Sequence, residues 1–159
     1  MSTARKAVLN RLAVGTALLA AAAAPLALAL PAEATTTANR CTVRPLKPTF
    51  AGFSGGVKQI RYEVVFSCAA GRTIEVQQLA MEDDSTPDQF INTRVHTRTF
   101  VSSTVATRSA TWALPDTEAG NEAGNEEVYQ KVRFRVSAGG GPVSAWTPFE
   151  FGPTLSIAS

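Results

Sequence analysis

The chain has 159 residues, of which 45% are hydrophobic, and its 15 basic and 13 acidic residues give a formal net charge of +2. Two cysteines and one histidine are too few for a zinc site built from those ligands. The length suits one domain with its own core, and the sequence contains no phosphate-binding or dinucleotide motif.

Residues 1–34 have the three-part layout of a secretory signal peptide. The basic start consists of Arg5, Lys6 and Arg11. An uncharged stretch rich in alanine and leucine follows over residues 12–30, and Ala32 and Ala34 are the small residues that signal peptidase requires. We therefore predict cleavage before Thr35 and secretion without a membrane anchor. A retained anchor is the alternative, because the apolar stretch approaches the ~20 residues that span a bilayer.

Removal of this segment changes the charge of the chain. Three basic residues and Glu33 are lost, so the 15 basic residues become twelve and the 13 acidic residues become twelve. Because affinity for nucleic acid depends mainly on net positive charge, this neutral domain predicts no nucleic-acid partner. Two cysteines in an exported chain predict a disulfide between Cys41 and Cys68 rather than a catalytic thiol.

The mature chain begins with polar, proline-containing and glycine-rich stretches. We expect residues 35–40 to be a flexible lead-in and residues 41–47 to form an edge strand, because Pro45 cannot donate to a sheet ladder. Residues 51–56 are typical of a glycine-rich connection. Ser54 lies there in a G-x-S-x-G pattern, but the strand-to-helix context of a hydrolase nucleophile is missing.

The clearest strand pattern covers residues 60–68, in which apolar and polar residues alternate. The expected inward row is Ile60, Tyr62, Val64, Phe66 and Cys68. In the next predicted strand, residues 73–81, the apolar residues change faces. Ile74 and Val76 share one face, and Leu79 and Met81 share the other. This change predicts a bulge between the two pairs.

An acidic turn follows this second strand. Its carboxylates are Glu82, Asp83, Asp84 and Asp88. Such a cluster could hold Ca²⁺ through oxygen ligands, but the regular spacing of a calcium loop is absent. The sequence therefore predicts a solvated loop and no cofactor.

Two further strands are predicted at residues 90–101 and 105–114. The expected apolar row of the first is Ile91, Thr93, Val95, Thr97, Thr99 and Val101. His96 falls on the opposite side, and we interpret it as a surface histidine because no carboxylate partner is placed near it. The expected inward set of the second strand is Ala110, Trp112 and Leu114.

The end of the chain contains one loop and two predicted strands. Residues 116–127 include a repeated Ala-Gly-Asn-Glu and predict a flexible loop. The next inward row is Val128, Gln130, Val132, Phe134 and Val136, and the last is Val143, Ala145, Thr147, Phe149 and Phe151. Residues 154–159 are expected to be a tail.

About seven short strands, no helical pattern and one disulfide predict an antiparallel immunoglobulin-like β-sandwich over residues 41–153. The alternating Val132–Ala138, the glycine-rich turn after it and Ser144–Thr147 resemble the last two strands of fibronectin type III domains. This resemblance covers Val128–Phe151 and implies the fold class rather than a ligand site. The chain is also similar to small alanine-rich exported proteins of high-GC Gram-positive bacteria.

The candidate binding residues lie on these last two strands. Lys131, Arg133 and Arg135 share one face, and hairpin pairing would bring Trp146 beside them. Arginine stacks favourably on an indole ring, so we expect Arg133 and Arg135 to flank Trp146. Such a stack could bind a ligand, or it could only cover the tryptophan.

The sequence predicts no enzyme, because no nucleophile with a base can be named. The favoured function is a non-catalytic binding module that recognises an envelope component or an extracellular protein. The alternative is an inhibitor of extracellular proteases or other enzymes, which would present residues 50–56 as a loop braced by the disulfide. The sequence leaves the oligomeric state open.

Overall fold

The computed structural model describes residues 34–83, 87–114 and 125–158. Within these ranges the chain is all β, and no helix that could span a membrane is present. The strands are β1 (Thr36–Ala38), β2 (Cys41–Pro45), β3 (Thr49–Ser54), β4 (Val57–Cys68), β5 (Arg72–Glu82), β6 (Gln89–Phe100), β7 (Thr104–Ala113), β8 (Asn125–Ala138), β9 (Glu150–Phe151) and β10 (Leu155–Ala158). The predicted signal peptide lies outside the described residues, apart from Ala34.

The strands form two antiparallel sheets, which confirms the predicted fold class. In the first sheet β1 pairs with β2, β2 and β3 pair with successive parts of the same side of β4, and β7 pairs with the other side of β4. In the second sheet the order is β10-β8-β5-β6, and β9 also pairs with β8. Because β4 and β5 lie in different sheets, as do β6 and β7, the chain crosses repeatedly between the sheets, as in immunoglobulin-like sandwiches.

The main core lies between the sheets. Its buried residues come from both of them: Cys41, Val43, Val64, Phe66, Cys68 and Ala106 from the first, and Ile74, Val76, Phe100, Val132, Phe134 and Val136 from the second. The inward row predicted for β4 is buried throughout. Cys41 lies directly opposite Cys68 in the register, with 4.1 Å between their Cα atoms, and the predicted disulfide is present.

The two ends of the mature chain contribute strands that the sequence pattern does not reveal. The expected lead-in contains β1, which pairs with β2 from Thr36 opposite Val43. The expected tail contains β10, which pairs with the start of β8. The difference from about seven to ten strands arises because short edge strands are held by backbone pairing and do not need an alternating apolar row.

The glycine-rich connection at residues 51–56 is mostly strand. Residues up to Ser54 belong to β3, and only Gly55 and Gly56 form the turn into β4. Both glycines have positive φ (59° and 83°), as a two-residue type I′ hairpin turn requires. Ser54 is therefore the last residue of a strand that leads into a hairpin turn, and it lacks the strand-to-helix context of a catalytic serine.

The faces predicted for β5 and β6 need correction. The inward row of β5 continues through Gln78, which is fully buried, so no change of face occurs between Val76 and Leu79. The register shifts instead between Ala80 and Met81. Ala80 pairs with Asn92 and Met81 pairs with Phe90, so Ile91 of β6 has no partner on β5. After Ile91, the row of β6 that faces the core is the one opposite to the predicted apolar row. Its buried members are His96 and Phe100, whereas Val95 and Val101 are exposed.

The predicted inward rows of β7 and β8 are mainly correct. Ala110 and Leu114 are buried, and Trp112 packs against a second cluster formed around Ile60 and Tyr62. The whole predicted row of β8 is buried. The loop expected at residues 116–127 lies outside the described residues up to position 124, and β8 begins at Asn125.

Candidate binding surface

The three cationic candidate residues project from the outer face of the second sheet. Lys131, Arg133 and Arg135 alternate along β8 with buried Val132, Phe134 and Val136. An extended strand sends successive side chains to opposite faces, so the buried row fixes the direction of the cations. All three are half-buried rather than fully exposed.

Trp146 reaches this face through an irregular segment, residues 143–149, which the sequence predicts as part of a regular strand. Only Glu150 and Phe151 of that predicted strand form β9, opposite Val132 and Lys131. The inward row is also wrong: Val143, Ala145 and Phe151 are exposed. A regular strand would have turned Phe149 away from Trp146, whereas both contact the cations.

Serine and threonine hydroxyls hold the irregular segment against β8. The N–H groups of Ser144 and Thr147 donate to the carbonyls of Val136 and Phe134, at 2.8 and 2.9 Å. In return, the N–H groups of Val136 and Phe134 donate to the Ser144 and Thr147 hydroxyls, each at 3.0 Å. Ser144 and Thr147, which are three positions apart, therefore bond to two residues of β8 that are two positions apart. Trp146 and Phe149 are also three positions apart.

The aromatic rings and the cations alternate in a stack. The guanidinium of Arg133 lies 5.0 Å from the Trp146 ring centroid and 4.6 Å from that of Phe149. The guanidinium of Arg135 lies 4.7 Å from Trp146, and the Lys131 ammonium lies 5.5 Å from Phe149. The stack expected around Trp146 is present, and each such contact is worth ~0.5–2 kcal/mol depending on its exposure.

Polar side chains of β5 complete this arrangement. The Nε–H of Arg133 donates to Oε1 of Gln77 at 2.7 Å, and the Nε–H of Arg135 forms an ion pair with Glu75 at 2.6 Å. We call Lys131, Arg133, Arg135, Trp146, Phe149, Glu75 and Gln77 together the ladder surface. Arg135 has a carboxylate partner, whereas no carboxylate of the described residues pairs with Arg133.

Sequence reasoning missed three members of the ladder surface. The alternating pattern places Phe149 in the inward row, although its spacing of three from Trp146 matches that of Ser144 and Thr147. Glu75 and Gln77 alternate with the buried residues of β5 and lie opposite Arg135 and Arg133 in the register. Their outward positions follow from the period of two, but their cross-strand partners depend on the pairing of β5 with β8.

His96 is not a surface residue, contrary to its interpretation from the sequence. Its side chain is only 8% exposed, and its Nε2 lies 2.8 Å from Oε1 of Gln78. Burial lowers its pKa, and the nearby cations Arg94 and Arg108 lower it further. The only histidine is thus engaged inside the second sheet, whereas Ser54 is exposed at a hairpin of the first sheet.

The acidic turn does not form a cation site in the part of the chain that the structure describes. No group of three or more acidic, histidine or cysteine side chains there is arranged to hold a metal ion. The carboxylate of Asp88 instead accepts a 2.5 Å hydrogen bond from the Tyr129 hydroxyl. Asp84 lies outside the described residues.

The loop considered for enzyme inhibition lies far from the disulfide. Residues 50–56 form one end of the β3–β4 hairpin, whereas Cys68 is at the opposite end of β4. Val57 and Cys68 are eleven positions apart on an extended strand, or about 36 Å. The disulfide therefore does not brace this hairpin, and the inhibitor interpretation loses the feature on which it depended.

No family model matches the chain, and no curated protein matches it.

Proposed function

We propose that the protein is a secreted, non-catalytic binding module that recognises anionic groups of a cell-envelope polymer through its ladder surface. The supporting observation is the position of Arg133. Its guanidinium is stacked between two rings, and its Nε–H donates to the neutral amide of Gln77. Its charge is therefore oriented but is not neutralised by a carboxylate of the described residues.

Stacking orders this side chain without using all of its donors. A guanidinium carries five N–H groups in one plane, and aromatic rings cover the faces of that plane rather than its edges. The donors of the two Nη groups have no partner among the described residues. A phosphate or carboxylate can accept two parallel hydrogen bonds from such a guanidinium. Because the stacked side chain is already ordered, binding would cost little further conformational entropy.

The charges around Arg133 favour a local electrostatic site over general attraction. The predicted mature chain has no net charge, so no long-range field would draw it to anionic polymers. Lys131 and Arg133 are adjacent cations without a carboxylate partner in the described residues, and Arg135 is balanced by Glu75. Binding should therefore depend on one or two side chains and weaken as salt is added.

The first test is co-sedimentation of the exported protein with washed Gram-positive envelopes over a series of salt concentrations. Arg133→Gln should lower the apparent affinity at least about tenfold at low salt, since a charge-assisted hydrogen bond contributes ~1.5–3 kcal/mol. Trp146→Leu keeps every charge and should also weaken binding, because it removes the ring that orients the guanidinium. Treatment of the envelopes to remove phosphate would distinguish phosphate from carboxylate as the acceptor.

The matched control is Arg61→Gln, which removes the same charge from an exposed position on β4 in the other sheet. It should leave envelope binding unchanged. Thermal unfolding of each variant checks that the fold is retained. Equal binding by wild type and Arg133→Gln, or equal loss in Arg61→Gln, would contradict the proposed site.

A further inference from the structure

β3 is an edge strand without a charged residue. Its six residues, Thr49–Ser54, pair with β4 on one side and with no described strand on the other. The other long edge strands carry charges: β6 has Arg94 and Arg98, and β7 has Arg108. Charges on an edge strand discourage pairing with another chain, so β3 is the long edge on which this protection is missing.

The same strand exposes two aromatic rings on one face. Phe50 is 47% exposed and Phe53 is 67% exposed, and their ring centroids lie 5.3 Å apart in an edge-to-face arrangement. Residues three apart on a regular strand point to opposite faces. Here the register shifts between Phe50 and Gly52, where Gly52 has a φ of 101°, and the shift returns Phe53 to the face of Phe50.

We propose that β3 is a self-association edge, along which two copies of the chain pair antiparallel about a twofold axis between Ala51 and Gly52. In that register Phe50 of each copy lies opposite Phe53 of the other, and Thr49 lies opposite Ser54. The four rings then form one cluster on one face of the joined sheet. A twofold interface requires a self-complementary surface, and this short sequence supplies it.

The charges near β3 are compatible with a second copy. Lys58, opposite Phe53 on β4, is already bound to Glu126 at 3.3 Å. Arg61 is exposed on β4, opposite Thr49. In the joined sheet the two β4 strands would be three strand spacings apart, about 14 Å, which exceeds the screening length of ~8 Å at physiological salt.

The available surface predicts a weak dimer. A phenylalanine offers ~200 Å² of surface, so the exposed parts of Phe50 and Phe53 together provide roughly 230 Å² per copy. Two copies would bury about 450 Å² of ring surface and a short ladder, which is interrupted at Ala51, whereas stable interfaces bury ~1,200 Å² or more. Dimerisation should therefore appear only as the concentration rises. It is independent of the ladder surface, which belongs to the other sheet.

Analytical ultracentrifugation of the exported protein, from about 1 µM to about 1 mM, tests this inference. The weight-average mass of the wild type should rise towards twice the monomer mass, while Phe53→Lys should remain monomeric over the same range. Val101→Lys is the matched control, because Val101 is an exposed apolar residue (90%) away from β3. It should dimerise like the wild type. A monomeric wild type, or equal effects of the two substitutions, would overturn the proposal.

A cysteine experiment tests the register. The double variant Thr49→Cys/Ser54→Cys places cysteines opposite each other in the proposed dimer and should give a disulfide-linked dimer on a non-reducing gel. Thr49→Cys alone leaves the two new thiols about five residues apart, roughly 16 Å, and should not give it. No linked dimer in the double variant, or equal linking in both, would contradict the register.

Discussion

Gln130 joins the two sheets through its side-chain amide. Its Nε2 donates to the carbonyls of Leu46 and Glu63, at 2.6 and 2.7 Å, so both amide hydrogens are used in the first sheet. Its Oε1 must then accept from Nε2 of Gln78, at 2.6 Å. The remaining oxygen of Gln78 faces His96, which donates from Nε2. The hydrogen-bond chain therefore fixes both amide orientations and the histidine tautomer.

Gln130→Leu should lower the free energy of unfolding by at least about 2 kcal/mol. The substitution keeps the side-chain volume but leaves the Leu46 carbonyl and the Gln78 amide without partners, and each buried unsatisfied group costs ~1–3 kcal/mol. Urea unfolding at neutral pH measures the difference. Gln59→Leu is the control, since Gln59 bonds only the carbonyl of Val57 near the hairpin end, and it should change stability little. Equal effects would contradict a supporting role for the hydrogen-bond chain.

The short strands depend on the turns that join them to their partners. β1 and β2 are joined by Asn39 and Arg40, which have φ values of 50° and 65°. This hairpin turn favours asparagine followed by glycine, because only glycine adopts positive φ without steric cost. Arg40 therefore occupies a position that its Cβ disfavours, in contrast to Gly55 and Gly56 in the β3–β4 turn.

Arg40→Gly should raise the free energy of unfolding by about 0.5–1 kcal/mol, because the relief of backbone strain exceeds the added flexibility of the unfolded chain. Thermal or urea unfolding measures the change. The complementary substitution, Gly56→Ala, should lower stability, since Gly56 has a φ of 83°. A loss of stability in Arg40→Gly would show that the arginine side chain contributes more than its backbone costs.

The stability of the whole domain should depend on pH through His96, the only histidine of the chain. Its folded-state pKa is lowered by burial and by Arg94 and Arg108. Between the folded and unfolded pKa values the unfolded chain binds more protons, so stability is full above the unfolded pKa and is lost as the pH falls. The free energy of unfolding should therefore decrease from about pH 7.5 to about pH 5.5.

His96→Gln provides the comparison, because a glutamine amide can still donate to Gln78 but does not titrate. Urea unfolding at several pH values should show a smaller decrease for the variant over this interval. Parallel curves for wild type and His96→Gln would assign the pH dependence to other groups.

Alternating apolar residues in the sequence are enough to identify the strands that bury them. The rows of β4 and β8 are both correct, because in each case burial of every second side chain is the dominant contribution to the local free energy. The disulfide follows from the presence of two cysteines, and the contact of Arg133 with Trp146 follows from hairpin neighbourhood. These features depend on side-chain chemistry that is readable within one or two adjacent strands.

Contacts between strands determine the burial of Gln78, Gln130 and His96 and the docking of residues 143–149, and the sequence pattern predicts neither. Polar side chains are usually exposed, but hydrogen-bond partners from other strands offset the cost of burying these three. The hydroxyls of Ser144 and Thr147 likewise replace a regular ladder with backbone contacts to β8, and so turn Phe149 towards the cations. β1 and β3 pair with the next strand in the chain, and β10 pairs with the distant start of β8. All three are held mainly by backbone hydrogen bonds, which a side-chain pattern does not reveal.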